Sequence, residues 1–282
     1  MTSTLPIISL VTCSYQQERF IDATMRSVLD QNYSSLDYIV VDGGSQDESA
    51  NIIAKYSSSL SYWVSEKDAG QTDALKKGFA NAQGEIQGWL CSDDLLLPGA
   101  LQAVGEFFLN NPDVDALYGD ALWIDADGKP LRAKREMNFN QFVFLHDHNY
   151  IPQPSMFWRK RLYEEVGGLD DSFNLAMDSD LWARFSEKTE IAHIPQYLSC
   201  MRFYPEQKTR SMKPAGRLED LKIRTRGSRL AHIGFVRPMQ YVLARVIRAV
   251  SKALAGGYGA SVPERFLPWL DAHATHAKHN GR

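Results

Sequence analysis

The chain has 282 residues, of which 44% are hydrophobic and 23% are charged, and its net charge is −3. This balance is typical of a globular protein and excludes an intrinsically disordered chain. A slightly acidic chain also argues against a broad basic surface for nucleic acid, so we expect no nucleic-acid partner.

The three cysteines, Cys13, Cys91 and Cys200, lie far apart and form no CxxC pair. Their number and spacing argue against a disulfide framework or a zinc knuckle and are typical of a reducing compartment. The N-terminal stretch MTSTLPIISLVTCSY lacks the regions of a signal peptide, and no apolar run reaches the ~20 residues that cross a bilayer. We therefore predict a cytoplasmic protein, with peripheral contact at the inner membrane face as an open alternative.

From residue 6 to residue 124, short apolar runs alternate with amphipathic segments. The runs predict strands at 6–12, 37–45, 60–66, 85–91 and 116–124, and the segments between them predict helices at 19–31, 49–58, 72–82 and 99–111. This alternation predicts an α/β fold, with a Rossmann-like, mostly parallel sheet flanked by helices.

The second half of the chain is less regular. The sequence predicts a hairpin turn at 125–130, loop and strand over 138–160, helices at 162–170 and 179–188, and a strand at 191–204. From about residue 215 the composition changes to arginine-rich amphipathic helix. We therefore predict one domain over 1–214 and a C-terminal helical extension over 215–282.

Polar residues follow four of the predicted strands, at the carboxyl ends where α/β sheets bind ligands. They are Thr12 to Ser14 after the first strand, Asp42 after the second, Glu66 to Asp68 after the third, and Asp93 with Asp94 after the fourth. Asp42 has two interpretations: a ligand for a ribose or a base, or a turn former in Asp-Gly-Gly-Ser. The lack of a G-x-G-x-x-G after the first strand argues against a nicotinamide dinucleotide.

Asp93 and Asp94 are adjacent carboxylates, which raise each other's proton affinity unless a cation lies near them. An apolar strand precedes them and three leucines follow, so a solvated pair is disfavoured. Mg²⁺ and Mn²⁺ prefer such oxygens and commonly add substrate phosphates to one or two protein carboxylates. We predict a divalent-cation site here; the alternative is a pair of solvated helix caps.

Asp178 and Asp180 begin a predicted helix, where the helix dipole favours carboxylates. The functional alternative is that one of them is a general base for an acceptor hydroxyl. Because residues i and i+2 of a helix point in different directions, we expect at most one to face a site. Further along, Lys208, Arg210 and the hydroxyls of Thr209 and Ser211 are candidates for holding a diphosphate, and an ordinary basic loop is the favoured alternative.

Together these segments resemble the inverting nucleotide-sugar glycosyltransferases of family two, which have a GT-A fold. The similar stretches are ISLVTCSYQQERFIDATMRSVLDQNY, IVVDGGSQDES, SEKDAGQTDALKKGFANAQGEIQGWLCSDD, QPSMFWRK and GGLDDSF with MDSDLWARF, covering about residues 5–211. The resemblance implies a nucleotide-diphosphate sugar donor, UDP- or dTDP-linked, and a glycan or lipid-linked acceptor in cell-surface polysaccharide synthesis, such as that of lipopolysaccharide.

The resemblance also assigns site residues. The nucleotide sugar would be contacted by Thr12, Ser14, Asp42, Asp68, Asp93, Gln207, Lys208 and Thr209. Asp93 and Asp94 would hold Mg²⁺ or Mn²⁺ in a DxD-like motif that begins here with Cys91, and the cation would neutralise the leaving diphosphate. Asp178 would be the catalytic base, with Met177 where relatives carry Glu, and Tyr204 stands where relatives often carry a metal- or phosphate-binding His.

The segment 232–259 predicts an amphipathic helix with arginines beside its apolar face. One interpretation is packing on its own domain or on a second subunit of a homodimer. The other is a position in a membrane interface, which would suit an acceptor on a lipid diphosphate. His146 and His148 are candidates for acceptor-site polar residues or for bonded loop histidines.

Two rival functions remain at this point. A nucleotidyltransferase would need a glycine-rich, basic phosphate loop near the N-terminus, and VTCSYQQER is a poor match. A non-catalytic scaffold protein that binds sugar nucleotides would not need Asp93, Asp94 and Asp178, all of which are present.

Overall fold

The structure is a computed structural model that describes residues 4–208, 212–226 and 236–274. These residues contain one nine-stranded sheet with the order β3-β2-β1-β4-β8-β6-β9-β5, and β7 pairs with β6. The strands are β1 Ile8–Ser14, β2 Leu36–Asp42, β3 Tyr62–Ser65, β4 Ile86–Cys91, β5 Leu95–Leu96, β6 Ala116–Ile124, β7 Pro130–Lys134, β8 Met156–Arg159 and β9 Ile191–Arg202.

Helices cover both faces of this sheet. They are α1 Ile21–Leu29, α2 Ser49–Ala54, α3 Gln71–Ala80, α4 Ala100–Asn110, α5 Gln141–His146, α6 Lys160–Glu165, α7 Met177–Ser186, α8 Lys213–Arg226, α9 Val236–Leu254 and α10 Leu267–Ala272. Short 3₁₀ turns lie at Ser57–Ser59, Gln153–Ser155 and Glu264–Phe266.

The first half of the sheet is parallel, because β1 pairs with β2 and β4, and β2 pairs with β3, all in the same direction. Alternate residues of β1 pack into two different core clusters, with Leu10 in one and Val11 in the other. The strands are therefore buried on both faces, as their continuous apolar sequence predicts. Their carboxyl ends lie along one edge of the sheet.

The second half is mixed. β8 pairs antiparallel with β4 and β6, while β9 runs parallel to β6. The predicted hairpin turn is confirmed: β6 and β7 are antiparallel, the backbone N–H of Asp125 donates to the carbonyl oxygen of Lys129 at 2.9 Å, and Gly128 has a φ of +91°. This left-handed conformation favours glycine.

Two elements differ from the sequence-based expectation. The predicted loop-and-strand segment 138–160 contains helix α5, whose first turn is capped by the side chain of Asn140, which accepts from the backbone N–H of Val143 at 2.9 Å. The two-residue strand β5 follows the acidic pair and hydrogen-bonds to β9. Both elements are too short to produce a periodic pattern.

The C-terminal segment packs against the rest of the fold. Ile223 of α8 and Ala244 of α9 are buried, and Phe266 and Leu270 join a core cluster with β5 and β9. Within the described ranges, no helix is both long and apolar enough to cross a membrane. The boundary at residue 214 stays a prediction, and α8 begins one residue before it.

Candidate active site

A main cavity of about 1450 Å³ opens at the carboxyl ends of β1 to β4. The loop after β9 and the helices α7 and α8 form its other walls. Seven residues predicted for the site line this cavity: Ser14, Asp68, Asp93, Asp94, Asp178, Gln207 and Lys208. Segments that are far apart in sequence thus meet at the edge where parallel sheets bind ligands.

The acidic turn, Cys91–Asp94, is held firmly at the end of β4. The hydroxyl of Thr24 on α1 donates to the carbonyl oxygens of Ser92 and Asp94, each at 2.8 Å. The buried side chain of Arg202 donates from Nε to the carbonyl oxygen of Asp93 at 2.7 Å. These bonds fix the backbone of the turn and so fix the direction of both carboxylates.

The donor groups of the acidic turn suit a divalent cation. Ligand atoms of Cys91, Asp93 and Asp94 all lie within 4.8 Å of one another. Burial raises the pKa of Asp93, and burial together with the charge of Asp93 raises that of Asp94 well above its usual range. A cation would relieve both effects, and carboxylate oxygens are the ligands that Mg²⁺ and Mn²⁺ prefer. The residues therefore fit the predicted metal.

Tyr204, at the position where the family resemblance implies a histidine, contacts the acidic turn. Its hydroxyl donates to Oδ2 of Asp93 at 2.9 Å. The backbone N–H of Arg202 donates to Oδ1 of Asp94 at 2.8 Å. Both carboxylates of the acidic turn are thus bonded by the end of β9 and the loop that follows it.

Asp178 lies on the first turn of α7, half-buried, and faces the main cavity. The side chain of Asn149 donates to its Oδ2 at 3.0 Å. Burial raises the pKa of Asp178 to about 6, and the charge of Asp220 on α8 acts in the same direction. A carboxyl group with such a pKa can accept a proton from a bound hydroxyl near neutral pH.

Asp180, two residues further along α7, points away from the cavity. It is fully buried and pairs with Arg184 at 2.7 Å and with Arg226 of α8 at 2.6 Å. The expectation that at most one of the two aspartates faces the site agrees with this geometry. Asp180 joins α7 to α8.

Thr12 and Asp42 are buried and are not among the residues that line the main cavity, and their contact with a nucleotide stays a prediction. Successive residues of a strand point to opposite faces, so Thr12 lies on the face opposite Cys13, and its hydroxyl bonds to that of Tyr38 at 3.1 Å. The buried carboxylate of Asp42 accepts from the N–H and the hydroxyl of Ser45 and from the hydroxyl of Ser65. In this structure Asp42 shapes its own turn, the second of the two interpretations.

Ser14, Gly43 and Asp68 line the cavity near those residues. The buried hydroxyl of Ser14 has no hydrogen-bond partner among the described residues. A Cβ atom on Gly43 would lie 2.6 Å from Oδ2 of Asp68, so a side chain at position 43 would displace this carboxylate. Ser14 and Asp68 thus both line this cavity, and Gly43 leaves room for the carboxylate.

Gln207 and Lys208 also line the cavity, whereas Thr209 lies outside the described residues. The side chain of Gln207 donates to the carbonyl oxygen of Arg202 at 3.1 Å. The ammonium group of Lys208 donates to the carbonyl and side-chain oxygens of Asn174, and burial lowers its pKa. The described part of the loop thus carries the ammonium group of Lys208 at the cavity, and phosphate binding by this loop stays a prediction.

Several supporting residues were not apparent from the sequence. Glu219 of α8 accepts from the backbone N–H groups of Asn174, Leu175 and Ala176, which lead into α7. Thr24 and Arg202 hold the acidic turn from positions more than 65 residues away. No local pattern signals such contacts. Asn149 stands beside the histidines of HDHN, a polar cluster that could have indicated it.

A second cavity of about 770 Å³ lies between the end of α5, α8 and the start of α9. It shares His148, Arg217 and Asp220 with the main cavity, and His146 lines it as well. Nδ1 of His148 lies 3.1 Å from Asp147, and burial lowers the pKa of His148. Both histidines thus line the second cavity, and neither belongs to the acidic turn.

Comparison with known proteins identifies the family. The model of glycosyl transferase family 2 matches residues 9–167, more than half of the 282 residues. The chain belongs to this family. It is therefore a glycosyltransferase enzyme, as predicted, rather than a nucleotidyltransferase or a scaffold protein.

Curated relatives agree with this assignment. An uncharacterized glycosyltransferase of Mycobacterium tuberculosis, Rv1514c, is 29% identical over 188 residues, which are 65% of this chain and 70% of that protein. The O-antigen biosynthesis protein RfbC of Myxococcus xanthus is 30% identical over 199 residues, which are 68% of this chain and only 16% of that protein.

Solved structures agree on the fold. TarS of S. aureus in complex with UDP-GlcNAc aligns with a TM-score of 0.60 at 15% identity, covering 88% of this chain and 82% of that one. The mannosyltransferase PcManGT of Pyrobaculum calidifontis, in complex with GDP-Man and Mn²⁺, aligns with a TM-score of 0.60 at 17% identity, covering 96% and 80%. The predicted GT-A fold is confirmed.

Proposed function

We propose that this enzyme transfers a sugar from a nucleotide-diphosphate sugar to a hydroxyl group of a glycan or lipid-linked acceptor, with inversion at the anomeric carbon. The neighbours in complex with UDP-GlcNAc and GDP-Man support a nucleotide-sugar donor. The O-antigen role printed for the relative RfbC supports a place in cell-surface polysaccharide synthesis. UDP- and dTDP-sugars are the proposed donors.

The observation that carries this proposal is the shared cavity. Asp178, with its pKa raised to about 6, and the acidic turn line the same space. The proposed proton acceptor and the proposed ligands for a cation and a diphosphate therefore share one cavity. An inverting transfer needs these two functions in one cavity, because the base and the leaving group act on opposite faces of the sugar.

In the proposed reaction, Asp178 removes the proton from the acceptor hydroxyl, and the hydrogen bond from Asn149 orients the carboxylate. The acceptor oxygen forms the new bond to the anomeric carbon from the face opposite the diphosphate. The bond to the diphosphate oxygen breaks, and the nucleoside diphosphate leaves with the electron pair. Single inversion at the anomeric carbon follows from a single displacement.

Asp93 and Asp94 are the proposed ligands of a divalent cation. When bound, this cation would supply the positive charge that stabilises the leaving diphosphate. Lys208, which lines the same cavity, is the proposed second positive charge. Ser14 and Asp68 are the proposed contacts of the nucleoside, because both residues line the cavity at the carboxyl ends of the parallel strands.

A nucleotide panel tests the donor site. Thermal-shift or calorimetric titrations would use UDP, dTDP, GDP and CDP, each with Mn²⁺, with Mg²⁺ and with EDTA. We expect one nucleotide to raise the melting temperature only when a divalent cation is present. Stabilisation that is equal in EDTA would contradict the metal site, and the absence of stabilisation by every nucleotide would contradict the donor site.

A product analysis tests the stereochemistry. The donor selected by that panel would be incubated with candidate acceptors, and the anomeric configuration of the product would be read by NMR. Retention of the donor's configuration would contradict a single displacement and the role of Asp178 as its base.

A further inference from the structure

Helix α9 carries an apolar face that the rest of the described chain leaves exposed. The docking face consists of Met239, Val242, Leu243, Val246, Val250 and Leu254. Their spacing of three or four residues places them along one side of the helix. The exposed fraction reaches 67% at Met239 and 85% at Leu254. Monomeric soluble proteins rarely expose so continuous an apolar surface without a partner.

The opposite side of α9 is fixed to the body of the enzyme. Ala244 is buried, and Ile247 packs against the core cluster that contains α7. Nζ of Lys252 lies 2.8 Å from the fully buried carboxylate of Glu136, and Arg248 lies 3.6 Å from Asp147. Because these contacts fix the rotation of the helix, the docking face cannot turn inward without breaking buried ion pairs.

Charge indicates what covers this face. The sequence of α9, VRPMQYVLARVIRAVSKAL, has three arginines and one lysine and no acidic residue. Arg248 and Lys252 are paired with the body of the enzyme, and Arg237 and Tyr241 line the second cavity. Arg245 is exposed, about 120° around the helix axis from the middle of the docking face. An anionic membrane surface would match the apolar residues with its acyl chains and the flanking arginine with its phosphates.

A second copy of the chain matches this surface less well. Two copies of α9 packed through the docking face would leave the exposed Arg245 without a partner on the other helix, because α9 has no acidic residue. A bilayer also accommodates the full length, since 19 helical residues extend for about 28 Å in the plane of the interface.

We propose that α9 docks the enzyme on an anionic bilayer surface, with its docking face inserted at the boundary between head groups and acyl chains. The second cavity links α9 to the active site, because Arg237 and Tyr241 of α9 line it and it shares residues with the main cavity. An acceptor held at the membrane would therefore reach Asp178 from the side of α9. That last step rests on the proposed function; the docking itself does not.

Vesicle binding tests the proposal directly. The full chain would be mixed with vesicles of phosphatidylcholine alone or with one third phosphatidylglycerol, and the bound fraction would be measured by flotation. We expect binding to the anionic vesicles, at least about tenfold weaker binding to neutral ones, and a loss of binding as salt concentration rises.

Matched variants assign the binding to α9. The triple variant Val242→Gln, Val246→Gln and Val250→Gln removes three exposed apolar side chains from one stripe and keeps the charge and the helix propensity. The control variant Ile7→Gln and Leu131→Gln changes exposed apolar residues elsewhere. We expect the triple variant to lose binding by at least about tenfold and the control to bind like the wild type.

Three results would overturn the proposal. They are absence of binding to anionic vesicles, equal loss in the control variant, and a dimer in analytical ultracentrifugation that the triple variant dissociates while vesicles remain unbound. Melting temperatures of both variants would show that each is folded. No donor or acceptor is present in these measurements, so failure of the proposed glycosyl transfer would not affect their outcome.

Discussion

The acidic turn after β4 and the first turn of α7 each carry two aspartates in a short segment, and the structure uses them in opposite ways. Asp93 and Asp94 line the same cavity and have their pKa values raised together. Asp178 faces the main cavity, whereas Asp180 is fully buried against Arg184 and Arg226.

Local backbone geometry explains the difference. Adjacent residues in a tight turn can present both carboxylates to one ligand when the surrounding chain fixes the turn, as Thr24 and Arg202 do here. Residues two apart on a helix are separated by about 200° around its axis and cannot share a ligand. A pair of aspartates in sequence is thus the proposed metal site in one place, and a proposed proton acceptor plus a structural ion pair in the other.

The largest effect is expected for Asp178→Asn, which removes the proposed base. We predict that the turnover number falls about 10²- to 10⁴-fold, the usual contribution of general base catalysis. Nucleotide binding should stay within a few-fold of the wild type, because the acidic turn is unchanged. Steady-state kinetics and nucleotide titration would check this. An equal loss of turnover number and nucleotide affinity would contradict the role of Asp178.

Asp180→Asn should give the reverse result. Loss of a fully buried partner of two arginines is expected to cost about 3 kcal/mol of folding free energy, near the lower end for a broken buried ion pair because Arg226 is partly exposed. Urea unfolding would measure this cost. The turnover number of the folded variant should stay within a few-fold, and a complete loss of transfer in a well-folded Asp180→Asn protein would show that the two aspartates are not separated in function.

Asp93→Ala tests whether the two carboxylates of the acidic turn bind one cation together. We expect the cation-dependent part of nucleotide affinity to fall at least about tenfold, or about 1.4 kcal/mol. Calorimetry with and without EDTA would measure it, and Asp113→Ala, at an exposed position, is the control. Unchanged binding with and without metal would remove Asp93 from the metal site.

The smallest effect concerns pH. Since burial and then the charge of Asp220 raise the pKa of Asp178 to about 6, transfer should decline as pH falls through about 6. Asp220→Asn should move this decline to lower pH, because it removes a charge that favours the protonated form. A pH profile of kcat/KM that does not move, or moves to higher pH, would contradict the coupling.

The same carboxyl group affects stability in a defined direction. Its raised pKa favours the folded state at low pH, and this contribution is lost as pH rises from about 4 through about 6. Asp178→Asn should therefore melt at the same or a higher temperature than the wild type at pH 7.5, with a difference that becomes smaller or reverses toward pH 4.5. Thermal unfolding at several pH values would measure this.

Much of the fold could be predicted because its strands are continuous apolar runs. The strand predicted at 116–124 has the same bounds as β6, and the helix predicted at 99–111 differs from α4 by one residue at each end. The antiparallel insertion of β8 between β4 and β6 could not be predicted, because pairing partners depend on contacts between distant segments.

The site was predictable where one strand end determines it and unpredictable where two segments meet. The location of Asp93 and Asp94 at the cavity could be predicted from their place directly after β4. Their role as ligands remains a proposal. Thr12 was expected in the pocket because it is near the end of β1, but its hydroxyl bonds to that of Tyr38, whereas Ser14, two residues further along the same face, lines the cavity. The bond from Tyr204 to Asp93 spans 111 positions and has no local signal.

The carboxylate of Glu219 has a consequence for how the enzyme can be divided. It belongs to the helix beyond the expected domain boundary, yet it binds three consecutive backbone N–H groups of the loop that enters α7. A fragment that stops at residue 214 would leave those donors unbonded beside Asp178. Chimeric enzymes that exchange C-terminal segments between relatives should therefore be joined after Arg226. The loop that enters α7 then keeps the glutamate that accepts its backbone hydrogen bonds.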